Sequence, residues 1–179
     1  IQKIKPNLLA DLGCNDGMYS LKSLECGCKY VIGFDFDINA IDIAFNNSKK
    51  MNELFLPLYF DAANPSGNIG WNEDERSGFS KRINFDALIA LAFEHHLAIA
   101  KNVPLSELIS WLMKIAPLGL IEFVPKDDPT IQRMLSLKGD IFPNYSEENF
   151  KKYIEQNGKI INQFEIGESG RKVYEYKTL

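Results

Sequence analysis

Seven residues, Asp11-Leu12-Gly13-Cys14-Asn15-Asp16-Gly17, stand between an apolar run and a helical pattern that starts near Met18. A chain turning sharply at such a place can point backbone N–H groups and a helix N-terminus at a ligand, which calls for residues that tolerate positive φ at alternate positions. Gly13 and Gly17 have that freedom, and Asn15 belongs to one of the few side-chain types that enter the left-handed region readily. No Gly-Lys-Ser/Thr follows, which excludes a phosphate P-loop. Asn15 and Met18 occupy the second and third glycine positions of the dinucleotide fingerprint, so a pyrophosphate ligand is disfavoured.

Three more groups carry chemistry. Asp35 directly follows a second apolar run, where a carboxylate can accept hydrogen bonds from both hydroxyls of an adenosine ribose. Asp37, two residues on, reads as a helix cap. Asp61-Ala62 closes a third run, where local chemistry reads Asp61 as a turn-starting aspartate. His95 and His96, both histidines of the chain, are adjacent. One of them could serve as general base toward an acceptor hydroxyl or amine, and the competing reading packs one and exposes the other. Adjacent helical residues diverge by about 100°, which argues against a shared metal, and no metal site is expected. Tyr19, Trp71, Phe93, Trp111 and Tyr145 could line an acceptor pocket or fill a core. Cys14 reads as a small packed residue.

The elements that must position these groups alternate in type. Strand patterns fall at Leu8–Leu12, Tyr30–Phe34, Leu54–Phe60, Phe85–Ala90 and Leu118–Val124, several without polar alternation, as buried parallel strands require. Asp11, Asp35 and Asp61 each end a successive strand, the edge at which open α/β sheets bind ligands. A helix over Ile38–Lys50 is expected to bury Ile38, Ile41, Ala44 and Phe45. Leu105, Leu108, Ile109, Leu112 and Met113 repeat at helical spacing after Pro104, and Asp128-Pro129 opens a helix through Ile131, Met134 and Leu135 that closes at Gly139. Ser146 starts a last helix carrying Phe150, Tyr153 and Ile154 inward and stopping at Gly158. Two strand patterns, Ile160–Ile166 and Lys172–Tyr176, then flank Gly167-Glu168-Ser169-Gly170, which is hairpin chemistry. The polar stretch from Ala62 to Arg82, with Trp71 in its middle, is long for a loop, and a lid is the functional reading.

Composition bounds the rest. The 179 residues, 45% hydrophobic and 25% charged, suit one globular domain, 1–179, with upstream residues possible before Ile1. No apolar run of about 18 residues suggests a membrane span. A net charge of −4 gives no global field for nucleic acid. Three cysteines, Cys14, Cys26 and Cys28, make no disulfide framework, and with no signal peptide a reducing cytoplasm is expected.

In order along the chain these features resemble class I S-adenosylmethionine-dependent methyltransferases. Asp11-x-Gly13-x-Asn15-x-Gly17 is similar to their D/E-x-G-x-G-x-G motif, Asn15 departing from the middle glycine. Gly33-Phe34-Asp35-Phe36-Asp37 resembles their second motif, and Phe85 to Leu97 their fourth-strand segment. Asp61–Pro65, His95–Ile99 and Ile121–Lys126 are similar to a bacterial, nodulation-type branch. The resemblance implies a Rossmann-like, doubly wound α/β fold: seven strands, mostly parallel, an antiparallel C-terminal hairpin, and helices on both faces. It implies S-adenosylmethionine as cofactor, held by Asp11, Gly13, Cys14, Asn15, Gly17, Asp35, Phe36, Asp61, Ala62 and Leu91, with His95 and His96 as catalytic candidates. The implied reaction passes a methyl group to an O or N nucleophile of a small-molecule acceptor. A non-catalytic adenosyl-binding module and a nicotinamide-dependent oxidoreductase are the alternatives; the latter would share Asp35 yet lacks the glycine fingerprint.

Overall fold

The computed structural model describes residues 1–49 and 54–179. Its strands and helices, in chain order, are β1 (Leu8–Leu12), α1 (Met18–Glu25), β2 (Tyr30–Asp35), α2 (Ile38–Ser48), β3 (Phe55–Tyr59), α3 (Phe79–Arg82), β4 (Ala87–Ala90), α4 (Leu105–Ile115), β5 (Leu118–Phe123), α5 (Pro129–Lys138), α6 (Glu147–Asn157), β6 (Gly158–Glu165) and β7 (Lys172–Thr178). The seven strands follow the order β3-β2-β1-β4-β5-β7-β6. Parallel pairing joins β1 to β2, β2 to β3 and β4 to β5, while β7 runs antiparallel to both β5 and β6. This is the expected Rossmann-like sheet with its terminal hairpin, and Gly167 and Gly170 take the positive φ that the hairpin turn needs.

The chain divides into two compact units, Ile1–Ala87 and Leu88–Leu179. In the first, Leu9, Ala10 and Leu12 of β1 are fully buried, as strands covered on both faces should be. Phe34 meets Phe60, Phe79 and Phe85 at ring-centroid distances of 5.2, 5.8 and 6.1 Å, mostly edge-on or tilted, the geometry that ring quadrupoles favour. Asp86 stays outside β4 because its carboxylate has other work: Oδ2 accepts from the backbone N–H groups of Asn7 and Leu8, fixing the entry to β1. So β4 begins two residues later than the sequence pattern suggests.

The face of α2 differs from expectation. Ala40, Ala44 and Ser48 are buried, whereas Ile38 and Phe45 are 63% and 53% exposed. Positions four apart form one row, and the row of small side chains lets the helix lie close to the sheet, turning the larger residues outward. Lys50, the expected end of this helix, lies outside the described residues. The stretch after Ala62 is not structureless: it holds a 3₁₀ turn at Trp71–Glu73, a backbone bridge between Ile69 and Arg76, and α3, whose Phe79 is buried.

In the second unit α4 buries Leu105, Leu108, Ile109, Leu112 and Met113, as its spacing predicts. Asp128 caps α5 by accepting from Thr130 N, and Ser146 caps α6 by accepting from Asn149 N. Phe150 and Ile154 of α6 are buried while Tyr153 is half-buried. After β4 the chain forms a π-helical turn, His96–Ala100, whose last carbonyls are satisfied by Lys138 Nζ bonding to Ile99 O and Ala100 O at 3.0 and 2.6 Å.

Candidate functional site

The turn from Gly13 to Gly17 adopts the alternation its residue types require: φ is 75° at Gly13, 49° at Asn15 and 86° at Gly17. At Gly17 a side chain is barred twice over, by the left-handed backbone and by the ring of Phe55, into which a Cβ would run. Gly33 approaches as closely, its missing Cβ leaving room for Phe55 and for Cys14 Sγ. Phe55 is therefore a floor beneath the turn, a role no local sequence signal reveals.

The N–H groups of the turn are largely engaged inside the protein. Gly13 N and Cys14 N both donate to Phe34 O, Asn15 N donates to Asp35 Oδ2 at 2.9 Å, and Gly17 N donates to Cys14 O. The expectation that these groups face a ligand is thus corrected. They anchor the turn to β2, since a sharp turn buried against a strand must satisfy its own donors.

Carboxylates surround the turn instead. Asp35 is half-buried; Oδ2 takes Asn15 N and Oδ1 takes Asp37 N at 2.9 Å, leaving lone pairs on both oxygens. Asp11 is 2% exposed and accepts from Ser20 Oγ at 2.6 Å, pinning the first turns of α1 to β1. Burial pushes its carboxyl up to about 7, opposed by the Ser20 bond and aided by the charge of Asp35. Burial first, then the fields of Asp11, Asp35 and Asp16, push the Cys14 thiol well above its ordinary range. A thiol held neutral among acids is no nucleophile. Phe36 is 61% exposed beside Asp35, and Asp37 caps α2 through Asn39 N and Ala40 N. Asp61 Oδ1 accepts from Ala63 N at 2.9 Å, so it does start a turn, with Ala62 half-buried beside it.

The second unit holds the other named residues. Leu91 is half-buried just past β4, and the next residue, Ala92, has φ 48°. His95 is 1% exposed; burial, and then the neighbouring charges of His96 and Arg171, draw its imidazole down to about 3, so it stays neutral in ordinary buffers. His96 is half-buried, and the two rings lie 4.3 Å apart.

Glu94 is fully buried. Tyr145 Oη lies 2.6 Å from Glu94 Oε1 and 2.7 Å from Val124 O. The single phenolic hydrogen of Tyr145 is shared between these two acceptors. Burial, aided by the charge of Glu122 and opposed by bonds from Tyr145 and Val124, pushes this carboxyl up to about 8. Among the sequence candidates for an acceptor pocket, Tyr145 is thus committed to the interior, Tyr19 and Trp71 are exposed, and Phe93 and Trp111 are half-buried. Glu94 and Glu122 were not marked by sequence, since their partners lie about 30 or more residues away.

No protein-family model matches the chain. It is 51% identical over 173 residues to the nodulation protein NoeA of Rhizobium meliloti (strain 1021), covering 97% of this chain and 36% of that one. The chain therefore spans about a third of the length of that relative. Among solved structures, the bifunctional kinase-methyltransferase WbdD is similar at TM-score 0.63 and 20% identity, over 96% of this chain and 35% of that one. The N-methyltransferase NodS from Bradyrhizobium japonicum WM9, in complex with S-adenosyl-L-homocysteine, is similar at TM-score 0.67 and 12% identity, over 97% of this chain and 78% of that one. Strand order and strand-end turn together define a domain of the class I methyltransferase fold. Within that fold the chain is a relative of NoeA.

Proposed function

We infer that the chain binds S-adenosylmethionine at the turn of Asp11–Gly17 with Asp35, Phe36 and Asp61-Ala62, and supports methyl transfer to an O or N nucleophile of a small-molecule acceptor. The observation that carries this reading is the electrostatics of the turn: the N–H groups of Gly13, Cys14, Asn15 and Gly17 are taken up internally and the carboxylates of Asp35 and Asp16 act on its centre at Cys14. Such a surface repels a pyrophosphate and suits a ligand with a sulfonium and an ammonium against one carboxylate, because opposite charges attract most where water is partly excluded. The fold shared with the N-methyltransferase NodS in complex with S-adenosyl-L-homocysteine supports the same reading.

S-adenosylmethionine supplies a methyl group on a positive sulfur that needs no further activation. The chain's own residues bind and orient. Asp35 has lone pairs left for ribose hydroxyls after its two backbone bonds, and Phe36 offers an exposed ring for the adenine face. Asp11 acts from below by fixing α1 through Ser20. Of the two histidines, His96 has the accessibility that receiving an acceptor's proton requires, while buried His95 serves it by ring contact.

The test is turnover. Incubation with S-adenosylmethionine and a panel of hydroxyl- and amine-bearing acceptors should yield S-adenosylhomocysteine above the acceptor-free rate. Tight S-adenosylhomocysteine binding with no turnover on any acceptor class would favour the non-catalytic adenosyl-binding module.

A further inference from the structure

We propose that Glu122 is a positioning residue for the segment that follows β4, holding Leu91 and Ala92 in their working backbone conformation. The proposal rests on the function inferred above together with the role of Leu91 as a cofactor contact, which the resemblance to class I methyltransferases implies. Ala92 has φ 48°, a left-handed conformation that a residue with a Cβ adopts only when its surroundings compel it. A side chain of β5 compels it. Ala92 N donates to Glu122 Oε2 at 2.7 Å, across 30 residues of sequence.

Glu122 is itself held. It is 4% exposed on β5, and Arg171 Nη1 reaches its Oε1 at 3.4 Å. Arg171 Nε donates to Asp128 Oδ2 at 2.7 Å, and Asp128 Oδ1 caps α5. The carboxylate that receives Ala92 N is thus oriented by an arginine at the end of the hairpin turn, which a second buried acid orients in turn. A buried charge on such a ladder is expensive to keep, and what it secures here is one strained turn. The neutral side chain that burial prefers, a leucine, would fill the space and release the turn.

The test combines three substitutions in the full chain, each read by S-adenosylhomocysteine affinity, by thermal melting, and by amide hydrogen exchange of residues 91–94 without ligand. Glu122→Leu should speed exchange at Ala92 and weaken S-adenosylhomocysteine by about tenfold. Glu122→Gln retains an acceptor oxygen for Ala92 N and should stay within about threefold of the parent. Adding Ala92→Gly to Glu122→Leu removes the backbone strain and should restore most of the lost affinity without restoring the melting temperature, an outcome that loss of packing alone does not produce. Parent-like affinity and exchange in Glu122→Leu would overturn the proposal, as would affinity lost in the leucine variant and unrecovered by the glycine. If Glu122→Leu does not fold, Glu122→Gln and Ala92→Gly alone decide: both must keep affinity, and Glu122→Gln must keep Ala92 protected. A parent that binds no S-adenosylhomocysteine defeats the function reading, whereas unchanged exchange at Ala92 defeats the positioning claim separately.

Discussion

At Asp35, one carboxylate serves structure and, in the proposed function, ligand. Asp35→Ala removes the acceptor for Asn15 N and Asp37 N, costing roughly 0.5 to 1.5 kcal/mol of stability for each bond. The same change should weaken S-adenosylhomocysteine about 10- to 100-fold, because each 1.4 kcal/mol of lost ribose bonding is a factor of ten. Asp37→Ala removes only a cap, so it should cost about 1 kcal/mol and leave affinity near the parent's. Calorimetric titration beside urea midpoints separates the two; affinity lost with Asp37 rather than Asp35 would shift the ribose site. Gly17→Ala meets both a left-handed φ and the Phe55 ring, and its stability should fall by at least about 2 kcal/mol, read as a lower urea midpoint. An unchanged midpoint would mean that the turn relaxes without loss. The alternation of φ at Gly13, Asn15 and Gly17 was legible because it follows from covalent sterics. The engagement of the turn's N–H groups by Phe34 and Asp35 was not, because it depends on strand register.

Among the elements, β1 and α4 were readable almost to the residue, since burial on all sides and a clear row of large apolar side chains each leave one solution. The inward face of α2 was not. Hydrophobicity favoured Ile38 and Phe45, whereas close packing chose Ala40, Ala44 and Ser48. Ala44→Leu should therefore be costly, about 1 to 3 kcal/mol by overpacking, and Phe45→Gln nearly neutral. Equal losses would restore the first assignment of faces. The stretch after Ala62 showed only its polarity in sequence. Its Ile69–Arg76 bridge and Phe79 anchor arise from partners that local chemistry does not announce. As a lid, with Trp71 84% exposed at its turn, this stretch should lose tryptic sensitivity at Arg76 when S-adenosylhomocysteine and acceptor are both present; cleavage at an unchanged rate would leave it a passive insertion.

For the molecule as a whole, two buried acids set a pH response opposite to that of most proteins. Glu94 and Asp11, raised by burial to about 8 and about 7, keep protons that the unfolded chain releases near pH 4. The folded state then binds more protons than the unfolded one, so stability declines as pH climbs from about 4 to about 8. Neutral His95, drawn down to about 3, works the other way up to its ordinary value near 6.5 and so offsets one of the two acids below that pH; above about 7, where Asp11 has titrated, Glu94 carries the decline. Glu147 and Asp128 supply stability on the acid side. Burial would raise Glu147, but bonds from Tyr174, Lys151 and Lys172 bring it down to about 2; Asp128 is lowered chiefly by its Arg171 bond. Melting temperature should peak near pH 5, and Glu94→Gln should flatten the fall between pH 6 and 8; a flat parent profile there would show Glu94 ionised. The parallel sheet and its hairpin could be anticipated, because alternating patterns and turn chemistry repeat along the chain, whereas the strand order could not, and the charge preference proposed for the ligand rests on the folded turn. That preference is the central claim, and calorimetric titration of the full chain with S-adenosylhomocysteine and with NAD in one buffer tests it most directly. Saturable one-to-one binding of S-adenosylhomocysteine with no heat from NAD is the predicted result; NAD binding as tight, or no S-adenosylhomocysteine binding at all, would contradict it.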